Sequence, residues 1–201
     1  MLKIIETLTS SARLWSRAEV PATPCPVPPR SGVYAWFFQE LPPPLDENGC
    51  LMRDGLCLLY VGISPKRPPR NGKPPSRGTL RSRIQNHFRG DAKGSTLRLT
   101  LGCLLAESLG IELRRIGSGK RRTFSTGEQL LSEWMARNAH VCWVECPEPW
   151  KVEGAAISQL SLPLNIDQNA AHRFCATLKA IRLAATTKAN RLPVLTTARG
   201  Q

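Results

Sequence analysis

An arginine and a histidine four residues apart, Arg83 and His87, are the first side chains in this sequence that suggest chemistry. They lie in the segment 79–89, where apolar residues recur at helical spacing, so the two side chains should be neighbours on one helix. An arginine and a histidine that face the same space can stabilise a phosphorane-like negative charge and move a proton. The structural alternative is a surface arginine above a histidine that is packed or hydrogen-bonded in the core.

Further along the chain, Glu153 and Asn165 offer a carboxylate and an amide. Glu153 stands near the start of a predicted helix and is the one acidic residue between Pro149 and Asp167. A carboxylate at this position either interacts favourably with the helix dipole or holds a hard divalent cation together with water and substrate phosphates. Asn165 follows twelve residues later, where its amide could reach a phosphate or a catalytic group.

Two tyrosines, Tyr34 and Tyr60, stand in short apolar runs over 32–38 and 58–64. Both runs are rich in β-forming residues and end in turn residues, so each is predicted as a buried or half-buried strand. A glycine within each strand leaves the backbone open to a ligand or another chain, and each tyrosine places a hydroxyl nearby. The strands alone leave open whether these tyrosines are core residues or catalytic groups.

Short strands and amphipathic helices must position these residues. The sequence predicts a third strand over 141–144, with 111–116 as a weaker candidate and an extra strand around 50–53. Helical periodicity and capping residues predict helices over roughly 4–18, 79–89, 96–110, 126–138, 151–160 and 171–188. These elements indicate an α/β (α+β) domain at 31–170, between an N-terminal helix with a proline-rich connector at 1–30 and a basic C-terminal helix and tail at 171–201.

The charge of the chain indicates a polyanionic partner. Lysine and arginine number 28 against 15 aspartate and glutamate, a net charge of +13, which favours nucleic acid over a membrane surface. No acidic residue occurs from Gly55 to Gly90, and the loop within this interval suits contact with phosphates, although it could also be a solvated loop. The predicted nucleic-acid contacts are Gly62, where a missing side chain would let a phosphate approach, and Lys66, Arg67, Arg70, Lys73, Arg77 and Arg81.

The cysteines and the hydrophobicity of the chain bear on its compartment. The seven cysteines contain no Cys-x-x-Cys pair and no zinc-ligand spacing, which predicts reduced, mostly buried thiols. No apolar run approaches the roughly 20 residues of a membrane span, and residues 1–6 lack the features of a signal peptide. The expectation is therefore a soluble, cytoplasmic protein without a membrane partner.

Five elements of the sequence occur in the order found in the GIY-YIG nuclease family: Gly32-Val33-Tyr34, Tyr60-Val61-Gly62, Arg83-x-x-x-His87, Glu153 and Asn165. The chain resembles this family over roughly residues 31–170. Each tripeptide is weakly specific alone, whereas five elements in order on strand, strand, helix and helix form a much stronger signal. The resemblance implies a small three-stranded antiparallel or mixed sheet flanked by helices, with its third strand at Val141 or Ile111.

The resemblance also implies how a phosphodiester would be hydrolysed. Water attacks the phosphate in line, and a tyrosine takes the proton from that water, with Tyr34 the first choice for this base and Tyr60 the second. His87 resembles the histidine that can accept a proton from the tyrosine. A tyrosine is a poor base at neutral pH unless cations lower its pKa, and Arg83 or Lys66 could supply that field.

A single metal ion, Mg²⁺ or Mn²⁺, bound by Glu153 is a further implication, and it would act as a Lewis acid without a second metal. Arg83 resembles the arginine that binds the phosphate, and Asn165 the residue that fixes the geometry of the site. The expected function is therefore a metal-dependent DNA endonuclease, with branched or damaged DNA among its candidate substrates. The alternatives are a nucleic-acid-binding protein of this fold without catalysis and, more distantly, a small-molecule enzyme that uses Arg83 and His87.

The chain departs from the compact core of that family in its loops. Tyr34 and Tyr60 are separated by 25 residues, and a proline-rich basic segment follows Gly62. The sequence contains neither a zinc finger nor a helix-turn-helix pair with its turn. Any substrate specificity is therefore expected to come from these loops or from the terminal segments.

Overall fold

A central antiparallel sheet is the framework of the protein. The computed structural model describes residues 1–69, 71 and 76–196. Its seven strands are β1 (Trp15–Ser16), β2 (Gly32–Phe38), β3 (Met52–Arg53), β4 (Leu56–Ser64), β5 (Arg114–Ile116), β6 (Arg121–Thr123) and β7 (Ala139–Glu145). Five of them form the sheet in the order β1-β7-β2-β4-β3, and β5 pairs with β6 in a separate hairpin.

The sheet therefore has five strands, and the expectation of three was wrong. The three long strands β7, β2 and β4 are the predicted ones, and Val141 rather than Ile111 lies in the third. The additional strands β1 and β3 have two residues each and pair at the two edges. Two residues are too few to show an alternating pattern, so periodicity could not detect β1.

Six α-helices in the described part of the chain surround the sheet. They are α1 (Leu2–Glu6), α2 (Leu80–Arg89), α3 (Thr96–Leu104), α4 (Gly127–Asn138), α5 (Pro149–Gln159) and α6 (Cys175–Arg191), and a π-helical turn at Thr7–Ser11 extends α1. The predicted N-terminal helix is shorter than expected, because Trp15 leaves it to pair with Val141 and to stack on Trp143 at 5.6 Å. No helix in the part of the chain that the structure describes is both long and apolar enough to cross a membrane.

Both faces of the sheet are buried. Along β2, Tyr34 and Trp36 pack with α2, α3 and α4 on one face, whereas Val33 and Phe37 pack with α1 and α5 on the other. This arrangement explains why β2 and β4 are continuous apolar runs rather than alternating ones.

The pairing of β2 with β4 sets Tyr34 directly opposite Gly62. A Cβ atom added at Gly62 would lie 2.5 Å from the Tyr34 hydroxyl oxygen and 2.8 Å from Cε1 of Tyr60. Contacts this short do not occur between real atoms, so any side chain at position 62 would displace the two rings. The space expected to admit a phosphate is thus occupied by the Tyr34 hydroxyl.

A buried ion pair ties helices α2, α3 and α4 together. The Arg98 side chain, which is fully buried, donates from Nη2 to Oε2 of Glu128 at 2.8 Å and to the Glu128 carbonyl at 2.8 Å. Its Nη1 donates to the carbonyl of His87 at 3.3 Å, at the end of α2. Glu128 in turn accepts from the backbone N–H groups of Ala92 and Phe124 at 2.9 and 3.0 Å. Arg98 therefore fixes the helix turn that carries His87.

Replacing Arg98 by methionine tests the role of this ion pair. Arg98→Met leaves the Glu128 carboxylate without its cation, and we expect the free energy of unfolding to fall by about 3–5 kcal/mol. Lys151→Met is the matched control, because Lys151 pairs with Glu148 at 2.7 Å while both side chains are at least half exposed. Urea unfolding should show a loss of about 1 kcal/mol or less for the control. An equally small loss for Arg98→Met would contradict the assignment.

Candidate active site

A cavity of about 610 Å³ lies beside the outer edge of β4. Strand β3 pairs only with Leu56 and Cys57 of that edge. Further along β4, the loop at Leu164 and Asn165 hydrogen-bonds to Leu59 and Val61 beside the cavity. Helix α5 comes from one face of the sheet, and α2 and α6 come from the other. Five of the six predicted catalytic residues line this cavity, namely Tyr34, Tyr60, Arg83, Glu153 and Asn165.

The sixth residue, His87, lies behind Tyr34. The Tyr34 hydroxyl is 2.8 Å from Nε2 of His87, and both side chains are buried. Nδ1 of His87 is 2.6 Å from Oγ of Ser95, which also accepts the backbone N–H of Arg98 at 3.1 Å and caps α3. Each ring nitrogen of His87 thus has one partner, and a hydrogen-bonded chain leads from the cavity through Tyr34 and His87 to Ser95.

His87, within this hydrogen-bonded chain, is neutral. Burial, together with the positive charges of Arg83 and Arg98, lowers the pKa of His87 well below its ordinary value. A neutral imidazole has one nitrogen with a free lone pair. His87 can therefore accept a hydrogen bond, or a proton, from the Tyr34 hydroxyl through Nε2.

The two tyrosines differ in their contact with this histidine. Burial raises the pKa of Tyr34 to about 12, with the nearby Arg83 charge opposing that rise. Burial and then the charge on Tyr34 raise the pKa of Tyr60 well above its ordinary value. The Tyr60 ring meets His87 edge to face, with centroids 6.3 Å apart, whereas Tyr34 makes the direct hydrogen bond. Tyr34 therefore has a proton acceptor already in contact.

Arg83 lies on the side of α2 that faces the cavity. Helix α2 begins at a capping box in which Thr79 Oγ1 accepts from the backbone N–H of Ser82 at 3.2 Å, and Ser82 Oγ accepts from that of Thr79 at 3.0 Å. Nη1 of Arg83 donates to the Gly94 carbonyl at 2.9 Å. This bond anchors one end of the guanidinium and leaves other N–H groups available to an anion in the cavity.

Glu153 is a partly buried carboxylate that none of the described ion pairs includes. Burial, and then the negative charge of Asp167, raise its pKa to about 7, while the charges of Lys66 and Arg83 act in the opposite direction. A carboxylate outside the ion pairs of the described residues that lines an open cavity suits a hard cation such as Mg²⁺. The residues present therefore fit such an ion.

Few other protein ligands accompany Glu153. Within the described ranges, no group of three or more histidine, cysteine or acidic side chains is placed to hold a metal ion. This donor set is unlike a zinc site, which needs three or four nitrogen or sulfur ligands. It agrees with Mg²⁺ or Mn²⁺, which keep several water ligands and take one or two carboxylates together with substrate phosphates.

Asn165 holds the edge of β4 next to the tyrosines. Its Oδ1 accepts the backbone N–H of Val61 at 3.0 Å, and its Nδ2 donates to the Val61 carbonyl at 2.8 Å. The side chain thus takes the place of a neighbouring strand at a position that β3 does not reach. Asn169 donates to the Asn165 carbonyl at 3.0 Å and fixes this loop in turn. Asn165 therefore positions the backbone between Tyr60 and Gly62.

The predicted nucleic-acid contacts fall into different places. Lys66 and Arg67 are exposed and line the cavity, whereas Gly62 is buried beside Tyr34. Arg81 donates to the Val27 carbonyl at 2.7 Å and so holds the proline-rich connector, and Arg77 is exposed away from the cavity. Arg70 and Lys73 lie outside the described residues.

Several residues of the site were not found from the sequence. The cavity is also lined by Asp167, Lys179 and Arg182, and Ser95 supports His87 from behind. Ser95 was identifiable only as a helix cap, since its contact with His87 depends on how α2 and α3 pack. Lys179 and Arg182 were visible as part of a basic C-terminal segment, but their place in this cavity depends on the docking of α6.

Comparison with known families identifies the family of the chain. A family model described as the GIY-YIG catalytic domain matches residues 32–184, which is more than half of the 201 residues. The matched region contains every residue of the cavity named above and extends into α6. No curated protein and no solved structure matches the chain.

Glu153→Gln should make the protein more stable at alkaline pH. A folded-state pKa of about 7, above the unfolded value of about 4.3, means that folding favours the protonated carboxyl. Stability is therefore lost as the pH rises from about 4.5 through 7, and the glutamine variant avoids this loss. We expect the variant to exceed the wild type by about 2–3 kcal/mol at pH 8 and to match it near pH 4.5.

Urea unfolding in a metal chelator at both pH values measures this difference. Glu148→Gln, which changes an exposed glutamate beside α5, is the matched control and should give the same small change at both pH values. An excess of Mg²⁺ should then stabilise the wild type at pH 8 but not Glu153→Gln. Equal stability of the wild type and Glu153→Gln at pH 8 would show that the carboxylate is not buried as described.

Proposed function

Since the chain belongs to the GIY-YIG nuclease family, we propose that it is a metal-dependent endonuclease that hydrolyses DNA phosphodiester bonds in the cavity described above. Family membership indicates a nuclease, and hence a nucleic-acid substrate. The observation that carries the finer proposal is the convergence of Tyr34, Arg83 and Glu153 on one cavity, with His87 in contact with Tyr34.

Tyr34 is the proposed general base. A water molecule in the cavity gives its proton to the Tyr34 oxygen while the Tyr34 proton passes to Nε2 of His87, 2.8 Å away. This transfer avoids a free phenolate, which a tyrosine with a pKa of about 12 would rarely form near neutral pH. Before this transfer, the proton of neutral His87 is on Nδ1, which donates to Oγ of Ser95. Ser95, the N-cap residue of α3, thus sets the tautomer of His87. Negative substrate phosphates would raise the proton affinity of His87.

Cationic side chains would hold the scissile phosphate against this base. Arg83 lines the cavity and is anchored by hydrogen bonds to the Gly94 carbonyl and to Tyr34, so it can bind a phosphate oxygen with little loss of side-chain freedom. Lys66 and Arg67 line the same cavity. Charge that develops on the phosphate in the transition state would be stabilised by these groups in a partly buried site, where electrostatic interactions are stronger than in water.

Glu153 would hold the metal ion, with Asp167 as the nearest additional carboxylate of the cavity. When bound, Mg²⁺ or Mn²⁺ supplies Lewis-acid stabilisation of the charge on the phosphate and the leaving oxygen. At pH values below about 7 the Glu153 carboxyl takes up a proton, and this proton competes with the metal. The lining cations and this carboxylate together define where the reacting phosphate sits.

A cleavage assay with Glu153→Gln tests the proposed function. Plasmid, branched and single-stranded DNA, and RNA of the same sequence, are incubated with Mg²⁺ or Mn²⁺ and analysed for cut strands. We expect the wild type to cut at least one DNA substrate, and Glu153→Gln to lose about 100-fold or more in rate because it cannot hold the metal. Glu148→Gln should cut like the wild type.

Two results would overturn this assignment. Binding of nucleic acid without cleavage in any metal would instead identify a binding protein of the same fold. Undiminished cleavage by Glu153→Gln would mean that the metal, if one is needed, is held elsewhere.

The two tyrosines are separated by single-turnover kinetics of Tyr34→Phe and Tyr60→Phe. We expect Tyr34→Phe to slow cleavage by about 10²–10⁴-fold, the usual loss for a general base, since it removes the group in contact with His87. Tyr60→Phe should cost less, because Tyr60 makes only a ring contact with the histidine. Both variants should bind DNA like the wild type. A larger rate loss for Tyr60→Phe than for Tyr34→Phe would assign the base to Tyr60.

A further inference from the structure

We propose that helix α6 is a second phosphate-binding wall of the active site, and that Lys179 and Arg182 hold a phosphate of the substrate strand beside the scissile one. The inference rests on the proposed nuclease function and adds the substrate class, namely a nucleic-acid strand that continues past the cleaved bond.

Helix α6 is packed against the body of the domain. Leu178 and Ala189 are fully buried, and Cys175 is 2% exposed. Arg115 of β5 donates from Nε to the Ala189 carbonyl at 3.1 Å and from Nη2 to the Leu192 carbonyl at 2.8 Å, at the end of the helix. These contacts hold both ends of the helix, so its backbone has a defined position beside the cavity.

Lys179 and Arg182 lie three residues apart on α6, hence on neighbouring turns of one face, and both line the cavity. None of the ion pairs among the described residues includes either of them. Arg182 makes a 3.4 Å hydrogen bond from Nη1 to Oγ1 of Thr100, which leaves its other N–H groups available. Lys188 of the same helix, in contrast, is paired with Glu112 at 2.8 Å.

The charge of the cavity exceeds what one phosphate needs. Among the described residues, five cations line it against two carboxylates, Glu153 and Asp167; the cations are Lys66, Arg67, Arg83, Lys179 and Arg182. Arg83 is near Tyr34, where its charge opposes the rise in the pKa of that tyrosine that burial causes, so Arg83 belongs with the reacting phosphate. The α6 cations are held on a separate element and match a neighbouring phosphate, since each lysine or arginine contact neutralises one charge of the backbone.

The salt dependence of binding tests this inference. Affinity for an oligonucleotide that the wild type cleaves is measured by fluorescence anisotropy at several NaCl concentrations. Glu153→Gln is the parent for every variant, so that no strand is cut. The slope of log K against log salt is steeper by about 0.9 for each duplex phosphate contact and about 0.7 for each single-strand contact. We expect Lys179→Gln with Arg182→Gln to flatten it by roughly 0.7–0.9, because the two side chains together hold one phosphate.

Two controls separate charge from structure. Lys188→Gln removes a paired cation of the same helix outside the cavity and should leave the slope unchanged. Arg182→Lys keeps the charge and should retain the slope even if the bond to Thr100 is lost. In the cleavage-competent chain, the double variant should raise KM and leave the rate at saturation nearly unchanged, because the contact holds substrate and transition state equally.

The possible results distinguish the two proposals. An unchanged slope in the double variant, with binding and wild-type cleavage intact, would overturn the role of α6 while the nuclease function stands. An equal decrease in this slope for Lys188→Gln would also overturn it, because the effect would then not require a cation in the cavity. Absence of cleavage by the wild type with every substrate and metal would instead remove the nuclease function on which the inference rests.

Discussion

The pairing of β2 with β4, which sets Tyr34 opposite Gly62, is the constraint on which the site depends. Because Gly62 has no side chain, the Tyr34 ring can lie across β4 with its hydroxyl beside Tyr60 and at 2.8 Å from His87. A shift of one residue in this pairing would turn Tyr34 to the other face of the sheet. The Asn165 amide secures the other edge of β4 at Val61, so the strand is held from both sides where the tyrosines meet the cavity.

The electrostatics of the site oppose the stability of the fold. Burial raises the pKa of Tyr34 and Glu153 and lowers that of His87, so it disfavours the charged form of each group. For Glu153, this costs stability above about pH 4.5. Perturbed groups that converge on one cavity are typical of functional sites. The buried Arg98–Glu128 pair, in contrast, satisfies its own charges and fixes the end of α2 behind His87. The buried Arg98–Glu128 pair thus supports the site rigidly, whereas Glu153 in the cavity is in none of the described ion pairs.

The sequence predicted features that depend on local patterns and missed those that depend on long-range packing. The apolar runs of β2 and β4, the caps of α2 and α3, and the order of the motif residues are local, and they predicted the central strands, these helices and the family. The edge strand β3 falls within the extra strand predicted around 50–53. The edge strand β1 and the early end of the N-terminal helix depend on Trp15 pairing with Val141, which no local pattern encodes. The contact of Ser95 with His87 and the place of Lys179 in the cavity likewise arise from how separate helices dock.

A crystal structure of the Tyr34→Phe variant with Mn²⁺ and an oligonucleotide that the wild type cleaves tests the central claim most directly. The variant should trap an uncut strand, and the anomalous signal of manganese locates the ion. The account predicts one ion bound by the Glu153 carboxylate, and a phosphate in contact with that ion and with Arg83, within one water molecule of the side chain at position 34. A strand bound outside this cavity, or an ion held by residues other than Glu153, would contradict it.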